Sequence, residues 1–193
     1  MDRIVAATER LLRARAWEEI SVADIAEASQ TSTGSFYQRF ASKDALLPFM
    51  YDLYNAEGDA LWAARETEGG FKARTLQSAA AKFVAFGISA MTRMRWLLRA
   101  MAIYSRQHPG RVAESAKERS ARIYRVAELT FAPHLDGPSA DAKRRIRMMT
   151  YAIGTLIREY YLFGNAPLAT AMKVDAKAFQ RELTRMTVAY LKH

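Results

Sequence analysis

Between Ser32 and Lys43 the chain gathers Ser32, Thr33, Gly34, Ser35, Tyr37, Gln38 and Lys43, a set suited to hydrogen bonding rather than to bond breaking. Thr33, Ser35 and Gln38 are short or medium side chains that both donate and accept, the property needed to read base edges. Tyr37, Gln38 and Lys43 suit phosphate oxygens, as do the free amides at helix N-termini, and Ser21 just upstream joins this candidate set. Gly34 inside a helix costs about 1 kcal/mol against alanine, so its presence suggests close approach of another surface. The chemistry implied is contact with double-stranded DNA.

Catalytic chemistry finds no comparable support. The histidines, His108, His134 and His193, are scattered, no His/carboxylate cluster has metal-ligand spacing, and no glycine-rich phosphate loop follows a strand. The absence of cysteine excludes thiolate metal sites, disulfides and cysteine nucleophiles. The pair Ser42-Lys43 is explained by capping and phosphate contact. We expect no enzyme activity, no cofactor and no metal.

The elements that would hold these side chains lie in Ser21 to Leu47. This stretch reads as two very short helices joined by a tight turn, with a third helix starting at once. Ser21 can cap the first, whose Val22, Ile25 and Ala26 face inward; Ser32 can cap the second, about residues 33–40, anchored by Phe36 and Phe40. Two such helices bury too little apolar surface to stand alone, but they match the helix-turn-helix that presents a small helix to a major groove. Before them lies a helix over about residues 3–15. After them, Ser42 and Asp44 open another helix that Pro48 should kink or restart, with Gly69-Gly70 at its end.

Downstream the pattern stays helical, over about 71–89, 91–107 and 111–131, with breaks at Pro109-Gly110 and Pro133 to Ser139. The last two helices carry stripes, Ile146 to Tyr161 and Phe179 to Tyr190. No segment alternates like a strand. The formal net charge is +9, yet residues 1–50 hold six basic against seven acidic side chains. The positive excess lies in Arg93 to Arg125 and Lys143 to Arg147, which read as solvated helix faces. With no signal segment and no apolar run of about 20 residues, a cytoplasmic protein without a membrane partner is expected.

Ile25-Ala26, Ala28, Ser32, Gly34-Ser35, Tyr37, Phe40, Lys43 and Leu46 stand in register with the signature of the TetR (tetracycline-repressor-like) family of bacterial regulators, which the first fifty residues resemble. Three positions depart from it. Gln30 stands where a turn glycine is usual and is expected to adopt a left-handed conformation; Thr31 replaces an apolar turn residue and should loosen the packing; Ala16 replaces another glycine. No basic arm precedes the first helix, so fewer phosphate contacts are expected.

The resemblance implies an all-α chain: a three-helix DNA-binding module over 1–47, then a helical effector-binding and dimerisation domain over 48–193. It implies a homodimer, since so small a module contacts few base pairs and a palindromic operator needs two. Ile153, Gly154, Ile157, Tyr161, Phe179, Leu183, Met186 and Tyr190 are the candidate interface, the alternative being that these stripes are used internally. Phe83, Phe86, Met94, Met101, Tyr104 and Tyr124 are ordinary core or the lining of a small-molecule effector pocket, where Arg95, Arg99 and Arg106 would favour an anionic amphipathic ligand. The function expected is a ligand-responsive repressor. The alternative is a helical ligand-binding or adaptor protein whose DNA-binding module does not function.

Overall fold

The computed structural model describes residues 1–108, 114–135 and 139–192, without the side chains of Glu57, Glu114 and Ser115. The expected break at Pro109-Gly110, the start of the helix at Arg111 and the middle of the loop before Ser139 lie outside these residues. The described residues form helices and short 3-10 turns, with no strand: α1 Asp2–Ala14, α2 Val22–Ala28, α3 Thr33–Tyr37, α4 Lys43–Thr67, α5 Leu76–Arg93, α6 Arg95–Gln107, α7 Glu114–Phe131, α8 Ala140–Leu162, α9 Pro167–Met172 and α10 Ala176–Lys192. None of these helices is long and apolar enough to cross a membrane.

The chain divides into two compact units. The first comprises Met1–Ala56 together with the described residues of Met94–Ala113. In α1 the buried set Ile4, Val5, Thr8 and Leu12 follows helical spacing, and buried Thr8 returns its hydroxyl to the Ile4 carbonyl at 2.8 Å. Around this stripe gather Trp17, Ile20, Ile25, Phe36, Phe40, Leu46, Leu47 and Met50. Leu97, Ala100 and Tyr104 of α6 complete the same core. Each large side chain withdrawn from water contributes about 1.5–3 kcal/mol. The short helices therefore draw their stability from α1, α4 and α6 rather than from their own length.

Helices α3 and α4 differ from expectation. Helix α3 ends at Tyr37, before Phe40, because the Arg39 amide turns onto the Phe36 carbonyl at 2.9 Å, three residues back, and leaves the Ser35 carbonyl to the Arg39 guanidinium. Phe40 thus swings inward, 5.4 Å from Phe36 and 5.6 Å from Phe49 between ring centres. Helix α4 runs unbroken through Pro48. The proline sits in the second turn, so only the bond to the Asp44 carbonyl is lost.

The second unit comprises Glu57–Arg93 and Glu114–His193. Its core joins Ala79, Ala80, Phe83 and Val84 of α5 to Val126, Ala127 and Phe131 of α7, Ile146, Met149, Ile153 and Ile157 of α8, and Phe179, Leu183 and Leu191 of α10. Gly70 is required here: a Cβ would come within 2.7 Å of the Thr130 amide nitrogen, and its φ is +85°. Beyond it, the Phe71 amide donates to the Thr130 hydroxyl at 2.9 Å, tying this segment to α7, and α5 begins at Leu76 instead of Phe71.

Candidate nucleic-acid interface

Helix α2 starts with a reciprocal cap: the Asp24 amide donates to the Ser21 hydroxyl at 3.0 Å, and the Ser21 amide donates back to the Asp24 carboxylate at 2.7 Å. The Ser21 amide and hydroxyl hold the Asp24 carboxyl below its ordinary range. At the other end Gln30 has φ +54°. Its amide reaches the Glu27 carbonyl at 3.0 Å and the Thr31 amide reaches the Ala26 carbonyl at 2.9 Å, the paired bonds that close a helix through a left-handed residue. The expected left-handed turn is therefore present, on a glutamine.

Thr31 does not leave the turn loose. Its hydroxyl lies 2.8 Å from that of buried Ser29, which also donates to the Ala26 carbonyl at 3.2 Å. Arg10 of α1 donates to the Ala28 carbonyl at 2.8 Å, fastening the end of α2 to the first helix. The polar replacement is matched by hydrogen bonds where an apolar residue would have used contact area.

Ser32 caps α3 by accepting from the Ser35 amide at 3.1 Å. Phe36 is fully buried, which turns the other side of this short helix outward. Thr33, Gly34, Tyr37, Gln38 and Arg39 are exposed and Ser35 is half-buried, with Tyr37 at 57% despite its ring. Nothing inside the module demands glycine at 34, since a Cβ there would meet only the Ser32 hydroxyl, at 3.7 Å. Arg39 folds back to donate to the Ser35 carbonyl at 2.7 Å and closes the helix C-terminus.

Lys43 behaves differently from the other candidates. It is half-buried and donates to the backbone carbonyls of Trp17 at 2.9 Å and Ile20 at 2.7 Å, with its ammonium 4.6 Å from the centre of the Trp17 ring. The Trp17 indole donates in turn to the Asp44 carboxylate at 3.2 Å. Side-chain spacing gave no sign of this, because the acceptors are main-chain carbonyls. Ser42 caps α4 as expected, accepting from the Ala45 amide at 3.2 Å.

The other candidate sets are dispersed. Phe83 and Phe86 join Trp62 and Phe71 in the aromatic core of the second unit, with Trp62 and Phe86 4.7 Å apart between ring centres. Tyr124 of the same unit lies under the Arg147 guanidinium at 5.3 Å. Met94, Met101 and Tyr104 instead belong to the core of the first unit. The six residues proposed to line one pocket thus serve two separate cores.

Of the candidate interface residues, Ile153, Ile157, Phe179 and Leu183 are buried in the protomer's own core, the internal use that was the alternative for these stripes. Their stripe is the one that α5 covers. Tyr161 is half-buried beside Phe179. Gly154, Met186 and Tyr190 do face outward, and next to Gly154 on α8 stand Met148 and Tyr151, exposed by 56% and 62%. The i, i+3, i+6 spacing of Met148, Tyr151 and Gly154 was the available signal for this second apolar face. The second unit also bears an open groove of about 700 Å³ lined by Glu66, Arg125, Glu128, Leu129, Ala132, Pro133 and Leu135.

Residues 4–48 match the family described as bacterial regulatory proteins, tetR family. Over the whole length the fold is similar to that of the transcriptional regulator FadR from Bacillus subtilis, solved in complex with stearoyl-CoA. That similarity has a TM-score of 0.65 at 15% identity and covers 97% of each chain. A TetR transcriptional regulator from Rhodococcus sp. RHA1 is similar with a TM-score of 0.50 at 14% identity, covering 98% of this chain and 93% of that one. No curated protein matches the chain. The N-terminal module, a helix-turn-helix with an exposed outward face, is thus the part of the chain that matches the tetR family of bacterial regulatory proteins, and the solved structures extend the likeness of fold over the rest.

Proposed function

We propose that the chain is a ligand-responsive repressor that binds a palindromic operator as a homodimer and leaves it when a small-molecule effector binds. The observation that carries this reading is the outward face of α3. Thr33, Gly34, Tyr37 and Gln38 are exposed together, and the glycine has no purpose inside the fold. A bare backbone at Gly34 lets the helix approach a groove wall, where Thr33 and Gln38 meet base edges and the Tyr37 hydroxyl meets a phosphate.

The dimer reading is supported by the outward apolar residues Met148, Tyr151 and Gly154 of α8 with Met186 and Tyr190 of α10. A small residue at Gly154, with nothing within 4 Å of a Cβ, suits close approach of a second copy. The effector reading is supported by the fold likeness to a regulator solved with stearoyl-CoA and by the positive charge beyond residue 56, where 23 basic side chains stand against 12 acidic. Both favour an anionic amphipathic ligand. Such a ligand acts by binding the DNA-free conformation more tightly, which shifts the population off the operator.

The test is salt-dependent binding to duplexes enriched from a random-sequence library by the wild-type chain. A palindromic consensus is expected, with affinity that falls steeply as salt rises. The second reading, a ligand-binding protein with a silent DNA module, draws on the slightly acidic balance of residues 1–50. Failure of the library to yield any consensus would favour it.

A further inference from the structure

The ammonium of Lys43 is already engaged by its own chain. Two of its three donors meet the Trp17 and Ile20 carbonyls at 2.9 and 2.7 Å, and the Trp17 ring lies against it at 4.6 Å. Trp17 is itself buried and is held from its far edge by Asp44. Residues 17, 20, 43 and 44 therefore close a ring of contacts between the turn after α1 and the first turn of α4. We propose that Lys43 is a positioning residue of the reader, a clamp that sets the stance of α2 and α3 without binding phosphate; this rests on the DNA-binding reading above.

The argument follows from where the clamp attaches. Ile20 directly precedes Ser21, the cap of α2, so fixing the Ile20 carbonyl fixes where α2 begins. Lys43 is the first residue of α4, so the same contact fixes where the segment that follows α3 arrives. The two helices of the reader are thus held at entry and exit by one side chain. Moving the ammonium to a phosphate would strip both carbonyls of their donor and leave the indole without its cation. An arginine does not replace it, since a planar fork on a different stem cannot place donors on both carbonyls in the volume of an ammonium.

The experiment compares full-length wild type, Lys43→Met, Lys43→Arg and Trp17→Phe on the duplex enriched by the wild-type chain, across a salt series well below each melting temperature. Lys43→Met and Lys43→Arg should each bind tenfold or more weakly at every salt concentration, with lines parallel to wild type in log affinity against log salt. Trp17→Phe, which alters no charge, should do the same. Should Lys43→Met fail to fold, Lys43→Arg and Trp17→Phe decide the matter. A phosphate contact predicts the opposite pattern: a slope shallower by about one per bound protomer for Lys43→Met, and rescue by Lys43→Arg. That pattern overturns the proposal. So does a lowered melting temperature with unchanged affinity in all variants, which would leave only a structural brace. If the wild type enriches no duplex, the DNA-binding reading itself falls and the proposal with it.

Discussion

Gly34 and Gln30 are two residues whose backbone roles run opposite to their types. Gly34 sits in a regular helix that has room for a side chain, so Gly34→Ala should stabilise the fold by about 0.5–1 kcal/mol. The same methyl would stand on the face proposed to meet DNA, and binding should fall tenfold or more. Thermal melting beside operator titration checks both halves. Gln30 is the converse, a side chain in a left-handed turn that costs about 1–2 kcal/mol. Gln30→Gly keeps both closing amide bonds and relieves that cost, partly offset by the freedom of glycine in the unfolded chain. Its midpoint in urea should rise, with the m-value unchanged.

At the scale of elements, α1, α4 and α6 meet at a polar cluster in the first unit. The Tyr54 hydroxyl of α4 donates to the Glu9 carboxylate of α1, and Arg13 donates to Glu9 at 2.7 Å while lying 5.1 Å from the ring centre of Trp96 on α6. Partial burial, together with the Glu9 carboxylate, pushes the Tyr54 phenol from its ordinary value near 10 up to about 12. A raised pKa in the folded state means stability that is complete below about pH 10 and is lost as pH rises towards 12. Tyr54→Phe should remove this alkaline loss while lowering stability at neutral pH, as melting curves between pH 7 and 11.5 will show. The Glu9 carboxyl, held low chiefly by the Tyr54 hydroxyl, works the other way and loses its contribution as acid protonates it. None of these cross-element pairs was legible in the sequence, since they join residues forty or more positions apart. The capped short helices, by contrast, were legible from Ser21, Ser32 and Phe36, whose roles are local.

For the whole molecule, periodicity showed which helices have apolar stripes but not what covers them. In α8 the regular stripe through Ile153 and Ile157 went to the protomer's own core, leaving the less regular Met148 and Tyr151 outside. Likewise Met94, Met101 and Tyr104 of α6 serve the core of the reader's unit, because helical spacing names a face and not its neighbour. The outward residues carry the oligomer prediction. Tyr151→Glu should leave the protomer folded, within about 0.5 kcal/mol, as exposed substitutions usually do. Light scattering should show a dimer for the wild type and a monomer for this variant, whose operator affinity should collapse with it.

The contacts of Trp17 have an optical consequence. Its indole is hydrogen-bonded to one charge and faces another, so its emission responds to any loosening of the clamp. The chain has three tryptophans, and the other two, Trp62 and Trp96, are half-buried in other aromatic surroundings. Replacing those two by phenylalanine leaves a protein whose intrinsic fluorescence reports on the reader alone. Such a chain would register the arrival of an operator or an effector as a change of colour or intensity, without any attached dye.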